Sequence, residues 1–427
     1  MIRGGLDLFR RETAAAWAAL ASLSALFFVI TAGTFTSLGV VLPEMVKALG
    51  WDWSGAGLGF TLLGLATGLA SYAPTVAIRR IGVRATLALG AALMAAAFGC
   101  LYAAQSIWLY WAGATLAGIG FAFLATIPGT FVLARAFRAR SAAFGVYFTV
   151  GGLGGVAGPW LYFATHEASG GWRAYWLALA VAVPALGLIA AALAAPPEAE
   201  AEERPAETRS PGRPGRDWEA AAALRTPQFW IIVAAYTTYL LCEVTVNGLS
   251  VQHLTERGAT ATLAGGLLSA QALINAVARA VAGLAGERLD PRKLVIAALA
   301  CLVVGLAALA AARDLPMMVV YVLGIGVGYG VSYLGTAVLL LNYFGRRRNL
   351  ELFSLMCLVS TLASAGPFVG GLVHDRTGGF GPALWGFAAV AAVVLAAVAL
   401  MRPPAAAAGA GGELPVEEVG RLGQDVL

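Results

Sequence analysis

Two ionisable side chains stand where the surrounding sequence is almost wholly apolar. Arg279 lies in Ala270-Gln-Ala-Leu-Ile-Asn-Ala-Val-Ala-Arg-Ala-Val-Ala-Gly-Leu284, and Glu243 in Tyr236-Thr-Thr-Tyr-Leu-Leu-Cys-Glu-Val-Thr-Val-Asn247. A charge inside a bilayer costs about 2.5–3.5 kcal/mol on insertion scales, so a residue that bears one there points to function. A fixed cation in a membrane cavity most simply receives an anion, and the planar guanidinium fork matches a carboxylate through two hydrogen bonds. Asn275 lies one turn before Arg279 on the same helical face, where it orients the guanidinium or touches the substrate. Tyr239, Glu243 and Asn247 recur at four-residue spacing and form one polar stripe. A carboxyl group in a span suits proton carriage, with substrate contact and helix pinning as the other readings. At the helical rise, Glu243 is about 22 Å from the start of its helix and Arg279 about 10 Å from the end of its own. Those depths leave a direct ion pair between them open.

Further candidates are neutral. Tyr329 and Tyr333 lie one turn apart in Gly324-Ile-Gly-Val-Gly-Tyr-Gly-Val-Ser-Tyr333, and their hydroxyls are able to donate to a carboxylate. Tyr147 and Phe35 are weaker candidates for the same cavity, with packing as the competing role. His166, His253 and His374 fall at the ends of apolar stretches, where they suit gating or capping. The Gly-rich runs allow close helix approach. They are not phosphate loops, because no Gly-Lys-Ser/Thr follows. Neither a metal-ligand cluster nor a nucleophile–base pair is evident, so the sequence does not read as an enzyme, and no cofactor is expected. The four cysteines share no ligand spacing and read as small packing residues.

These residues need elements to hold them. The chain of 427 residues is 59% hydrophobic and only 12% charged, against about 25% charged in soluble proteins. Runs long enough to cross a bilayer recur along it, and a backbone in lipid must be helix or closed barrel. The expected spans are 14–43, 53–78, 83–104, 107–134, 142–165, 173–195, 227–252, 260–286, 293–312, 315–344, 350–373 and 381–402. The first is too long for the apolar core of a signal peptide. Of 28 Lys and Arg, Lys47, Arg173, Arg257, Arg313 and Arg376 fall on one side of this topology. Arg279 falls within it, and the rest share the side of the two termini. That bias predicts cytoplasmic termini, and the high Ala and Gly content suggests a bacterial inner membrane. The charge bias also accounts for the net charge of +5 without nucleic acid.

Residues 196–226 are charged, Pro-rich and without apolar periodicity, as a flexible cytoplasmic linker would be. The expected organisation is a six-helix bundle over 1–195, this linker, a second bundle over 227–402, and a cytoplasmic tail over 403–427. The halves repeat at an offset of 208 residues. Gly158-Pro159 faces Gly366-Pro367, His166-Glu167 faces His374-Asp375, and Gly170-Gly171-Trp172 faces Gly378-Gly379-Phe380. Arg84 likewise faces Arg292. Parallel six-span repeats around a midplane site imply a transporter that rocks about a central cavity.

This arrangement resembles the major facilitator superfamily: an all-α membrane protein of twelve helices in two pseudo-symmetric bundles. Gly286-Glu-Arg-Leu-Asp290-Pro-Arg292-Lys293 matches that family's marked loop. Its counterpart at Arg79-Arg80-Ile-Gly82-Val-Arg84 carries Arg79 where the family usually has an acid. Within the superfamily the chain is similar to the monocarboxylate transporters and the oxalate/formate exchangers. The resemblance rests on Asn275-x-x-x-Arg279, Gly151-Gly-Leu-Gly-Gly-Val-Ala-Gly-Pro159 with Gly171-Trp-Arg-Ala-Tyr175, Gln252-His-Leu-Thr-Glu-Arg-Gly258, and Asn342-Tyr-Phe-Gly345. Thr126 replaces a Tyr common two residues before the span-four proline. No Lys or Arg lies in 352–373, where the oxalate type has a second cation. The resemblance implies a proton-coupled symporter of small monocarboxylates that works in lipid as a monomer. The alternatives are organic-anion exchange, and efflux of organic cations or drugs on Glu243.

Overall fold

The computed structural model describes residues 12–137, 140–194, 218–285, 290–345 and 348–404. Most of the expected linker, the tail beyond 404, the N-terminal arginines and the segments around Arg138, Arg288 and Arg346 lie outside these residues. Residues 218–226, expected to be linker, are docked. The Trp218 amide donates to the Phe344 carbonyl (3.1 Å), and its ring packs edge-on against Phe344. A short helix, Ala220–Leu224, leads into the second half.

Every element among the described residues is helical. Ten helical stretches are long and apolar enough to cross a membrane. One of them, Trp53–Tyr102, has 50 residues and would run about 75 Å, more than twice the ~30 Å hydrocarbon core. It contains two crossings, which turn at Gly82, where φ is 80° and ψ 163°. Only a residue without Cβ adopts that backbone freely. Arg140–Ser169 is a further helix of 30 residues. The described residues thus supply twelve crossings: Ala14–Leu49, two within Trp53–Tyr102, Ile107–Ala136, Arg140–Ser169, Trp172–Leu193, Pro227–Glu256, Ala261–Ala285, Pro291–Ala311, Leu315–Phe344, Glu351–Thr377 and Gly381–Leu400. Several helices overrun the expected spans by a turn at their C-termini, at Leu49, Ser169, Glu256 and Thr377, while the starts fall close to the expected ones and are capped. Thr13, Asp52, Thr226, Asp290 and Asp314 each accept a backbone N–H at an N-terminus.

Two spans break where proline demands it. Pro128 cannot continue the hydrogen-bond ladder of the fourth span. The helix stops at Leu124 and restarts at Thr126. At the break the Ala125 carbonyl accepts from the Gly129 amide (3.3 Å) and from the Tyr147 hydroxyl (2.9 Å). Before Pro367 the eleventh span tightens into a 3-10 turn, Thr361–Ala365. The first span instead widens into a π turn, Ala32–Thr36.

The repeat in the sequence is a repeat in contacts. Arg84 donates to Ala194 O (2.6 Å) at the end of the sixth span, and Arg292 to Val398 O (3.2 Å) at the end of the twelfth. His166 pairs with Glu44 at 3.1 Å, and His374 with Glu256 at 2.9 Å. Each pair joins the first and fifth helices of its half, so these histidines cap and tie helix ends.

The two halves meet most closely away from the face that carries the 6–7 segment, hereafter the linker face. A Cβ at Gly39 would overlap the Asn247 carbonyl oxygen, one at Gly57 the Pro367 carbonyl, and one at Gly371 the Trp53 carbonyl. Glycine is needed at these crossings because backbone touches backbone. On the far face, Asp375 accepts from the backbone N–H groups of Trp53 (3.0 Å) and Ser54 (2.8 Å), which caps the second span from the opposite half. Hydrogen bonds to a charged group are worth about 1.5–3 kcal/mol each. Asp375→Ala should therefore shift the population at least about tenfold toward separation of the halves on the far face. Distances between spin labels placed on the two far-face rims would report it; an unchanged distribution would mean that the carboxylate carries no share of the closure.

Candidate functional site

The eighth span presents two distinct faces. Leu273, Val277 and Val281 are exposed at four-residue spacing and form its lipid side. Arg279 is two residues from Val277 and from Val281, about 200° around the helix. Its exposure is therefore on the inward side, toward the space between the halves. The same side carries Asn275, whose Oδ1 accepts from the Arg279 guanidinium at 3.4 Å, and Gln271, which is fully buried.

The tenth span supplies the walls. The Arg279 guanidinium carbon stands 5.3 Å from the centre of the Tyr333 ring and 5.7 Å from that of Tyr329. Cation–π contacts of this kind contribute about 0.5–2 kcal/mol each, which offsets part of the cost of a membrane charge. Tyr333 and Tyr329 are one turn apart, so both reach a single cation. Tyr329 packs edge-on against Tyr239 of the seventh span (5.2 Å), which in turn packs against Tyr236 (4.9 Å). Two tyrosines thus line one side of the cation, and two more from the seventh span stand behind them.

Glu243 stands deeper. It is 8% exposed, and its carboxylate accepts from Gln271 Nε2 (2.8 Å) and Asn247 Nδ2 (3.4 Å). The Tyr321 hydroxyl donates to the other end of the Gln271 amide (3.4 Å). No ion pair joins Glu243 to Arg279. The guanidinium is still close enough to act electrostatically on Glu243, and Tyr329 lies in the field of both charges. The depths estimated from sequence left an ion pair open, and Gln271 and Asn247 are the partners that Glu243 takes instead.

The structure thus gathers Arg279, Asn275, Tyr333, Tyr329, Asn247 and Glu243 into one cluster within the second half. It sets Tyr147 and Phe35 elsewhere. Tyr147 is fully buried, its hydroxyl is held by Ala125, and its ring stacks on Phe27 (4.9 Å). That is a packing position created by the break at Pro128. Phe35 leans on Phe121 (5.5 Å) and Phe60 (6.3 Å) in the first half. Gln271 is the member that the sequence reading passed over. It is four residues before Asn275 and eight before Arg279, so its helical register was the available signal. A neutral amide within an apolar run stands out less than a charge.

What the cluster does chemically follows from which group faces open space. The cation is accessible on an inward face, and the carboxylate is enclosed with its acceptor sites occupied. An accessible cation of this kind has the charge to receive an anion, with a second ionisable group in the same cluster. It holds no nucleophile–base pair, and no metal-binding group of His, Cys, Asp or Glu occurs among the described residues.

The Major Facilitator Superfamily model matches residues 23–252 and 241–418, nearly the whole length. The chain belongs to the major facilitator superfamily. No match is found among curated proteins. The fold is similar to that of a point mutant of the nucleoside transporter NupG, with TM-score 0.69 and 15% identity over 89% of this chain and 98% of that one. It is also similar to a bacterial homolog of the human lysosomal transporter Spinster in an inward-facing and occupied conformation. There the TM-score is 0.65 and the identity 16%, over 89% and 93% of the two chains. Identities this low establish a shared fold. The superfamily establishes that this multi-pass membrane protein is a secondary transporter working by alternating access, and not an enzyme.

Proposed function

We propose that the protein transports small monocarboxylates together with a proton, with the substrate carboxylate held on Arg279. The observation that carries this reading is the contrast in exposure between the two membrane charges. Arg279 is open to the inter-half space, while Glu243 is buried and already bonded to Gln271 and Asn247. The same contrast disfavours an organic-cation substrate on Glu243, because a bound cation would have to displace two donors from an enclosed carboxylate.

The mechanism follows from the charges. An entering carboxylate takes the guanidinium from Asn275, and the Tyr329 and Tyr333 hydroxyls donate to it. Loading neutralises Arg279, which lowers the cost of closing the cavity around it. Glu243, one shell away, takes the proton that makes the loaded state electroneutral. A single membrane cation matches a monoanion better than a dianion. The excess of Lys and Arg on the linker face supports a cytoplasmic orientation of that face and an inner-membrane location.

Purified protein in liposomes, with an inward proton gradient and a panel of labelled monocarboxylates, tests the reading. Accumulation of at least one acid should follow the gradient and collapse with a protonophore. Exchange that needs internal substrate and ignores the gradient would instead establish organic-anion antiport.

A further inference from the structure

Arg279 is not the only cation that lines a cavity. At the linker-face ends of the second, fourth and fifth spans the first half encloses a pocket whose walls include Thr75, Arg79, Ile127, Phe131, Ala134 and Phe144. The fourth-span members 127, 131 and 134 share one helical face. No carboxylate lines the pocket, and among the described residues none pairs with Arg79. A second guanidinium sits at its edge, with the Arg135 carbon 3.6 Å from the centre of the Phe131 ring. Other linker-face arginines have structural partners: Arg84 and Arg292 cap helix ends, and Arg348 pairs with Glu219 and Glu351. Arg79 occupies the place where an acid was expected, so what would be a structural ion pair becomes an open cation in a cavity.

We propose that this pocket is a second anion site, a staging site for the transported acid on the linker face. This inference rests on the proposed function. The shape of the ligand follows from the walls. The Arg79 guanidinium and the Thr75 hydroxyl take a carboxylate, while Ile127, Phe131 and Phe144 take an apolar body. The site therefore suits small organic acids with a hydrocarbon or aromatic portion. Its position follows from the repeat. Residue 71 is the counterpart of Arg279 at the offset of 208, and Arg79 is eight residues further on, about 12 Å nearer the linker face. An acid approaching from that side meets Arg79 before Arg279, and the cation raises its local concentration.

Labelled benzoate is the probe, bound to the full chain in phosphatidylcholine nanodiscs. The set is wild type, Arg79→Gln, Arg279→Gln, the double variant, and Arg79→Lys in the Arg279→Gln background, each checked for folding by its melting transition. Arg279→Gln should retain about one benzoate per chain, the double variant should bind at least tenfold more weakly, and the lysine should restore most of the loss. Absence of binding to Arg279→Gln, or equal binding to the double variant, overturns the staging site and leaves the role of Arg279 standing. Full wild-type stoichiometry in Arg279→Gln, lost on adding Arg79→Gln, supports the staging site and removes Arg279 from the proposed function. Displacement of the Arg79-dependent benzoate by phosphatidylglycerol would show a lipid-headgroup site and also overturn the proposal.

Discussion

Arg279→Lys is expected to lower transport about a hundredfold with the fold intact, although the charge is kept. A hundredfold loss corresponds to about 2.7 kcal/mol. Three properties of the site account for it. Lysine has no planar fork to meet both carboxylate oxygens. Its ammonium is more strongly hydrated and costs more to seal in a closed cavity. It also lacks the flat surface that lies beside Tyr329 and Tyr333. Arg279→Gln removes the charge as well and should fall to background. Initial rates of uptake, normalised to folded protein, measure both. A lysine variant as fast as wild type would make Arg279 a point charge that sets the local potential rather than a carboxylate clamp.

Glu243→Gln is expected to abolish accumulation driven by a proton gradient, a loss of tenfold or more in the steady-state level, while exchange of internal for external substrate persists. Glutamine keeps the size of the side chain and one carbonyl acceptor for Gln271 or Asn247. It cannot gain or lose a proton, so the inward and outward steps no longer differ by one. The pH dependence of uptake should flatten together with the accumulation. Counterflow that is lost along with gradient-driven uptake would instead assign Glu243 to the binding or packing of the helices. Gln271→Leu is a useful companion, because it leaves the buried carboxylate short of its nearest donor (2.8 Å) without touching the titrating group.

The sequence disclosed the charges and hid their partners. Arg279, Asn275 and Glu243 stood out because a charged or amide side chain is rare in such apolar surroundings, and the four-residue spacing placed the first two on one face. Tyr329 and Tyr333 were legible by their one-turn spacing, though not their approach to the guanidinium. Gln271 had the same register signal and was passed over as an uncharged residue. For Tyr147 the sequence left contact and packing open, and its partner, the Ala125 carbonyl, lies 22 residues away at a helix break that no local pattern links to it. The closure of the halves by Asp375 on Trp53 and Ser54 joins residues more than 300 positions apart. No local pattern encodes it. The helices themselves followed from composition and from the length of the apolar runs. Residues 218–226 read as linker because they continue a charged, Pro-rich stretch and are too short to span a membrane, yet Trp218 has an aromatic surface at Phe344 on which to dock.

The central claim is that the site recognises a carboxylate through Arg279. The most direct measurement compares a transported acid with its carboxamide, the same shape without the negative charge, in liposomes bearing wild type or Arg279→Gln. The account predicts that wild type carries the acid and ignores the amide, which does not compete even at a hundredfold excess, and that the variant no longer distinguishes them. Equal competition by the amide in wild type, or discrimination that survives in the variant, would contradict it.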